Sequence, residues 1–311
     1  MFCKNLIVYE IKQESALNEI TPELIDKVAF IPCSPTDSAS GGFISPLDNE
    51  KLMIEINNQI LLKYQTEQKI LPNSVVKKAL QAKIEKQEIA LDRRLTKSEK
   101  LVLEDEVYID LLPKAFSKYE QFNVWIDKAN KTISITTASF MKAEKILASL
   151  RKELGQLSVT LLSSDGSPEK YLTQWLQGNK PNDFELGDCA VLFDAVETHS
   201  KIKLINEQVQ DSQEVKSYLN AGREVESIAI YSKSGVSFTI NKNLVLSKIK
   251  FDSSILDKNE DFHLEERERK IEADFIMVSS ILSEIIKIVK KMNSTKAHKS
   301  LFHSRGFKCK F

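Results

Sequence analysis

The chain has 311 residues, of which 42% are hydrophobic and 28% charged, so it can bury a core and keep a charged surface. Only 9 glycines and 8 prolines occur, which excludes collagen-like and low-complexity architectures. The 44 basic and 44 acidic residues cancel, so net charge by itself predicts no partner.

Strands and turns are predicted for most of the first 70 residues. Alternating side chains predict a strand over residues 4–11. Thr21-Pro22-Glu23 is typical of a helix start. Threonine can cap the first backbone N–H groups, proline suits the first turn, and the charge of glutamate interacts favourably with the positive end of the helix dipole. Residues 31–46, rich in proline, serine and glycine, predict a loop. Strands over 51–56 and 59–65 are joined at Asn57-Asn58, a plausible tight turn.

Two long helices follow Leu71-Pro72. Asn73 or Ser74 is the expected cap of the first, over residues 74–93, and the second is expected over 97–112, ending at Pro113. Thr96-Lys97-Ser98-Glu99 matches a capping box. The apolar stripe of the region consists of Val76, Leu80, Ile84, Leu91 and Leu95.

The remainder alternates between hairpins and helices. Strands are predicted over 122–127, 132–136, 157–162, 225–231, 236–240 and 244–251, and helices over 139–154, from Ser167 to Gly178, and over 212–221. Residues 179–210 are ambiguous, and 257–270 predict a charged loop or exposed helix. A strand over 273–278 precedes a final helix from Ser279 or Ser280 to Met292. Without a βαβ rhythm, the fold class is α+β, with hairpins and meander sheets beside long helices.

No motif for nucleotide binding or hydrolysis occurs. His298, His303 and Cys309 could hold zinc, but their spacing matches no standard site. The acidic clusters 104–106 and 265–266 are more typical of solvated helix faces than of a metal-dependent nuclease. We therefore expect no catalytic residues, no metal and no cofactor.

Residues 77–100 carry eight basic and four acidic side chains. The excess of four positive charges has two interpretations. These side chains form either a solubilising surface or a contact with DNA phosphates without base recognition. The segment from Lys287 to the end carries eight further basic residues and no acid, typical of a solvated terminus or of a basic arm. Among the aromatic residues after Pro113, most are expected in the core, and Phe116 and Tyr119 are the candidates for a subunit interface.

Four scattered cysteines without a CxxC pair, and no signal peptide or membrane-length apolar run, favour a soluble cytoplasmic protein.

Several segments resemble the RdgC family of recombination-associated proteins, and their order along residues 1–292 is the same. The most similar are Leu71-Pro72-Asn73-Ser74-Val75-Val76-Lys77-Lys78-Ala79-Leu80 and Leu111-Leu112-Pro113-Lys114-Ala115-Phe116-Ser117 followed by Trp125-Ile126-Asp127. Lys4-Asn5-Leu6-Ile7-Val8-Tyr9, Phe30-Ile31-Pro32-Cys33, Ala221-Gly222-Arg223 and Ala273-Asp274-Phe275-Ile276 are similar to it as well. The chain departs at Asn206 and Glu207, where the family often has a basic and a polar residue, and in the basic tail 293–311.

The resemblance implies a ring-shaped homodimer around a basic hole, which binds duplex DNA without sequence preference, and single-stranded DNA more weakly. It further implies antagonism with the RecA recombinase, a nucleoid-associated location, no membrane and no catalytic activity. Within 1–292 we expect an N-terminal part, 1–160, and a C-terminal part, 161–292. The predicted DNA contacts are Lys77, Lys78, Lys83, Lys86, Arg93, Arg94, Lys97, Lys114, Lys118 and Lys203. A metal-dependent DNA-processing enzyme and an interaction protein that acts without DNA stay as alternatives.

Overall fold

A computed structural model describes residues 3–13, 15–47, 49–155, 157–163, 166–194, 200–205, 212–256 and 267–291. The chain divides into two compact units, Met1–Leu161 with Ser253–Ser279, and Leu162–Asp252 with Ser280–Phe311. No helix within the described ranges is long and apolar enough to cross a membrane.

The first unit is built on an antiparallel sheet in the order β2-β4-β5-β6-β1, with β3 paired to β4 and β7 to β1. Its strands are β1 (Asn5–Ile11), β2 (Ala39–Ile44), β3 (Met53–Ile56), β4 (Gln59–Ile70), β5 (Phe116–Asp127), β6 (Thr132–Ile135) and β7 (Val159–Leu161). The central strands are buried on both faces, which explains why Trp125, Ile126 and Val124 are all fully inaccessible.

The N-terminal segment of this unit carries the helices α1 (Ser15–Asn18), α2 (Pro22–Asp26), α3 (Asn73–Leu91), α4 (Lys97–Leu111) and α5 (Phe140–Leu154), with a 3₁₀ turn at Leu112–Lys114. Helix α5 buries one apolar stripe, including Ile146 and Leu150, because these residues recur at helical spacing. It covers the sheet face that carries Tyr64 and Phe122, since Lys142 Nζ lies 5.6 Å above the Phe122 ring.

The second unit has an antiparallel sheet in the order β12-β11-β10-β8-β9. Its strands are β8 (Phe184–Asp194), β9 (Lys201–Ile205), β10 (Arg223–Ser232), β11 (Val236–Asn241) and β12 (Leu246–Phe251). Helices α6 (Pro168–Leu176) and α7 (Gln213–Asn220) pack on β10. The rings of Trp175, Phe184 and Phe238 meet edge to face, with centroids 5.6 and 5.7 Å apart, in its core.

The α+β expectation is confirmed as far as antiparallel sheets and several helices, while the predicted division at residue 160 and the ring stay predictions. The Asn57-Asn58 turn is confirmed, with φ of 52° and 62°, as a left-handed pair that matches strand twist. The capping box is also confirmed, because Thr96 accepts from Glu99 N and Glu99 accepts from Thr96 N.

Several sequence-based boundaries were wrong. Strand β2 forms inside the predicted loop. The N-cap position of α3 is occupied by Pro72, and not by Asn73 or Ser74 as predicted. Strands β4 and β5 extend to Ile70 and back to Phe116, through polar residues that show no apolar alternation. Residues 273–278 are helical, because they lie inside α9 (Arg267–Lys291), after α8 (Ser253–Leu256). Ser279 is therefore inside a helix, where its hydroxyl donates to Ile276 O.

Candidate nucleic-acid interface

The basic segment predicted from the sequence forms a helical hairpin inserted between β4 and β5. The two strands pair up to their ends, where Ile70 lies opposite Phe116. Two residues, Leu71 and Pro72, separate the end of β4 from the start of α3, and α4 returns to β5 through the 3₁₀ turn. The hairpin of residues 73–111 therefore continues the β4–β5 ribbon at its far end.

A small apolar cluster holds the two helices of the hairpin together. It consists of Ile84, Leu95 and Leu103, with Leu80 packed against it. The predicted stripe is confirmed for Val76, Ile84 and Leu95, which are buried, but Leu91 is exposed. Because the helix ends at Asp92, in a left-handed conformation with φ of 51°, Leu91 stays outside the cluster.

Ion pairs neutralise part of the basic character of the hairpin. Lys83 Nζ lies 2.9 Å from Glu106 and 3.3 Å from Asp110, across the two helices. The hydrogen bond to Glu106 is the main cause that raises the pKa of Lys83. Lys100 lies 3.5 Å from Glu88. These contacts join α3 to α4, so Lys83 and Lys100 serve the packing of the hairpin.

Arg93 forms a fork with Glu99, with nitrogen–oxygen distances of 2.6 and 3.1 Å. This pairing, together with the capping bonds from Thr96, lowers the pKa of Glu99 from 4.5 to about 2. Because the fork engages both terminal nitrogens of the guanidinium, the predicted DNA contact Arg93 already has a strong partner.

Five of the predicted contacts on the hairpin are exposed and have no carboxylate within 4 Å among the described residues. They are Lys77, Lys78, Lys86, Arg94 and Lys97. The hydrogen bond from Leu95 N is the main cause that lowers the pKa of Glu88, and Arg94 adds to it only at longer range. On α3, Lys77, Lys78 and Lys86 lie at about 0°, 100° and 180° around the helix axis, so these uncompensated charges spread over about half of the helix surface.

The other predicted contacts lie elsewhere. Lys114 is exposed in the 3₁₀ turn, and Lys118 is exposed on β5, where it lies 3.0 Å from Glu120. Lys203 is exposed on β9, in the second unit.

The sequence count of residues 77–100 missed the second half of α4. Four acids follow there, namely Glu104, Asp105, Glu106 and Asp110, so the hairpin as a whole is electrically balanced. The basic surface belongs to α3, the connecting turn and the start of α4. Counting to the end of the predicted helix at residue 112 would have revealed this.

The aromatic residues after Pro113 separate into two groups. Phe122 and Trp125 are buried, as expected for the core, whereas Phe116 is 85% and Tyr119 54% exposed. The two exposed rings lie at the base of the hairpin, three positions apart on β5 and therefore on opposite faces of the ribbon.

Helix α4 also exposes apolar side chains that the sequence analysis did not single out. Leu101 and Tyr108, and likewise Val102 and Ile109, are seven residues apart and exposed. This spacing places all four on one stripe, opposite the buried Leu103 and Val107. The stripe of Leu101, Val102, Tyr108 and Ile109 is called the α4 apolar stripe.

Within the described ranges, no group of three or more histidine, cysteine, aspartate or glutamate side chains could hold a metal ion. All four histidines, Cys309, the acids 265–266, Asn206, Glu207 and the tail 293–311 lie outside those ranges. The expectations attached to them stay predictions.

Comparison with known proteins places the chain in a family. The family described as "Putative exonuclease, RdgC" matches residues 1–293. The chain belongs to the RdgC family. The recombination-associated protein RdgC of Serratia proteamaculans is 36% identical over 291 residues, covering 92% of this chain and 96% of the relative. The proteins of the same name from Yersinia enterocolitica and Yersinia pestis are 36% and 35% identical with the same coverage.

Proposed function

We propose that this RdgC-family protein binds DNA without sequence preference and thereby acts in recombination. The observation that carries the proposal is the set of uncompensated cations on the hairpin, among them Lys77, Lys78, Lys86 and Lys97. Exposed amines on a protruding element suit phosphates, which are spaced along DNA regardless of sequence. The relatives named recombination-associated proteins support the same assignment.

A ring-shaped homodimer is the assembly we propose. Its support within one subunit is the α4 apolar stripe, because apolar patches on protruding elements mark contacts with other chains. Phe116 and Tyr119 stay candidates for the same interface. A closed dimer around duplex DNA would then limit access of RecA to that DNA, at the nucleoid in the cytoplasm.

Salt dependence of DNA binding tests the proposal. Fluorescence anisotropy with two unrelated duplexes, and with one single strand, should give equal affinities for the duplexes and a weaker one for the single strand. The affinity should fall steeply with salt, because each phosphate contact releases counterions. Binding that needs one sequence, or that ignores salt, contradicts the proposal.

The word exonuclease in the description of the family favours one competing function. Incubating linear DNA labelled at either end with the protein and Mg²⁺ or Mn²⁺ distinguishes the two. Under the proposal the DNA stays intact while it is bound. Progressive shortening that a chelator stops would establish the enzyme instead.

A further inference from the structure

One face of the β4–β5 ribbon carries an unusual set of hydrogen-bond donors. Register partners project to the same face, so Lys63 with Asn123, Gln65 with Gln121, and Glu67 with Tyr119 form three successive rows. The opposite face is covered by α5, where Lys142 lies over the Phe122 ring. The donor face is defined here as Lys63, Gln65, Tyr119, Gln121 and Asn123, all exposed or partly exposed.

The side chains of the donor face are arranged for an acceptor from outside. Gln121 Nε2 donates to Gln65 Oε1 at 2.8 Å. The side-chain nitrogen of Gln65 takes no part in this bond, so its two hydrogens are available to another acceptor. Among the described residues, no carboxylate lies within 4 Å of Lys63 Nζ, and no group bonds Gln65 Nε2. Lysine and amide donors beside one another are a common way to bind phosphate oxygens without reading bases.

Glu67 is the one carboxylate of these rows, and it is only 3% exposed. It accepts from Cys33 N at 2.8 Å and from Ser117 Oγ at 2.5 Å. The hydroxyl of Tyr119, its partner across the strands, interacts with the same carboxylate. These bonds lower the pKa of Glu67, the one from Ser117 most of all. A buried charge is costly unless it is fully paired, and Glu67 is paired with donors on two other segments, the Cys33 segment and β5.

The three partners fix the end of the donor face. Cys33 belongs to the segment that crosses β2, where Phe30 N donates to Phe43 O at 2.8 Å. Because the Tyr119 hydroxyl is turned toward Glu67, its ring is what stays exposed beside the lysines and amides. An aromatic ring next to cationic and amide donors suits a nucleic acid, whose bases stack and whose phosphates accept.

We infer that the donor face is a second nucleic-acid contact, separate from the hairpin, and that Glu67 is the positioning residue that holds Tyr119 and the Cys33 segment in place. The inference rests on the proposed function and extends it to a sheet surface. The donor face contacts the sugar-phosphate backbone through Lys63, Gln65 and Asn123, and the Tyr119 ring packs against sugars or splayed bases. Glu67 itself contacts no DNA, and its charge is shielded by its three donors.

Two variants of the full-length chain test the contact itself. Lys63→Ala combined with Gln65→Ala should weaken duplex binding about tenfold and lower the salt slope by about 0.9, the value for one lost cation. Tyr119→Ala should weaken single-strand binding about tenfold, because stacking on one base is lost. The matched control is Lys145→Ala, an exposed lysine on α5 against the other face of the sheet.

Glu67→Gln tests the positioning role, with Ser117→Ala as a milder variant. If Glu67 acted only through its charge, its loss near DNA would strengthen binding. If Glu67 holds Tyr119 and the Cys33 segment in place, the variant should bind DNA at least about threefold more weakly, with an unchanged salt slope. Alkylation of Cys33, followed on its peptide by mass spectrometry, should become faster in Ser117→Ala, which keeps the Glu67 charge, because the segment that carries the thiol loses its anchor. In Glu67→Gln the loss of the charge alone removes a cause that raises the pKa of the Cys33 thiol and so also speeds alkylation. Tighter or unchanged DNA binding in Glu67→Gln, or an unchanged alkylation rate in Ser117→Ala, overturns the positioning role.

The outcomes separate this inference from the proposed function. If the unsubstituted protein binds no DNA at any salt concentration, the proposed function fails first. If it binds, and the Lys63/Gln65 variant equals Lys145→Ala, only the donor face is refuted. If that variant loses DNA binding and light scattering shows that it has become monomeric, the face is a subunit contact and the inference is overturned.

Discussion

Arg93 donates two hydrogen bonds to the carboxylate of Glu99, which at the same time caps the first turn of α4. One carboxylate therefore fixes both the turn between the helices and the start of the second helix. Arg93 was predicted as a DNA contact, and its partner instead suggests a role in the shape of the hairpin.

Thr96→Ala should destabilise α4 by about 1 kcal/mol, the usual cost of removing an N-cap side chain. The hydroxyl of Thr96 accepts from Glu99 N, and no other side chain is placed to replace it in the capping box. Hydrogen exchange of the amides in the first turn of α4 measures the effect. Ser98→Ala, in the same turn, should exchange as the unsubstituted protein does.

The hairpin should loosen in acid. The pKa of Glu99 is about 2 in the folded chain and 4.5 as the reference value, so folding favours its ionised form. This contribution to stability is complete above pH 4.5 and is lost as the pH falls toward about 2. Amide exchange at α4 in a pH series should show it, and Glu99→Gln should remove most of the pH dependence. A hairpin equally protected at pH 5 and pH 2.5 contradicts this expectation.

Replacing the four unpaired lysines of the hairpin, Lys77, Lys78, Lys86 and Lys97, by alanine should reduce the salt slope of duplex binding by about 3 to 4. Each lysine that contacts a phosphate contributes about 0.9 to that slope. The control is Lys83→Ala, whose ammonium is held by Glu106 and Asp110. It should lower hairpin stability with little change in slope. Equal slopes in both variants would mean that the hairpin faces away from DNA.

Leu101→Lys combined with Ile109→Lys should convert the proposed dimer to a monomer. Both side chains lie on the α4 apolar stripe, and a buried interface residue lost from its centre commonly costs tenfold or more in affinity. Light scattering after size exclusion measures the change. Met141→Lys is the matched control, because Met141 is an isolated side chain, 72% exposed, on α5. A double variant that stays dimeric locates the subunit contact elsewhere.

Gly42→Ala should destabilise the first unit by about 1–3 kcal/mol, as overpacking does. A Cβ there would lie 2.5 Å from Phe30 Cα and 2.6 Å from the carbonyl carbon of Ala29, which are backbone atoms without room to move. Gly41→Ala is the comparison, since its Cβ would meet the Tyr64 side chain. Denaturant unfolding should rank Gly42→Ala as the costlier substitution.

Local sequence determined the parts of this protein whose cause is local. Asn57-Asn58, the Thr96–Glu99 capping box and the stripe from Val76 to Ile84 were predictable because turn chemistry, capping and helical periodicity act over a few residues. The order of the RdgC-like segments also gave the family, which the match over residues 1–293 confirms.

Tertiary structure decided which charges are available. Lys77 and Lys83 look alike in sequence, but only Lys83 faces two carboxylates on the returning helix, 23 and 27 positions further along the chain. The strand ends at Ile70 and Phe116 and the burial of Glu67 likewise depend on residues that are distant in sequence. Ion pairing and strand pairing depend on distances across space, and a pattern read along the chain does not contain those distances.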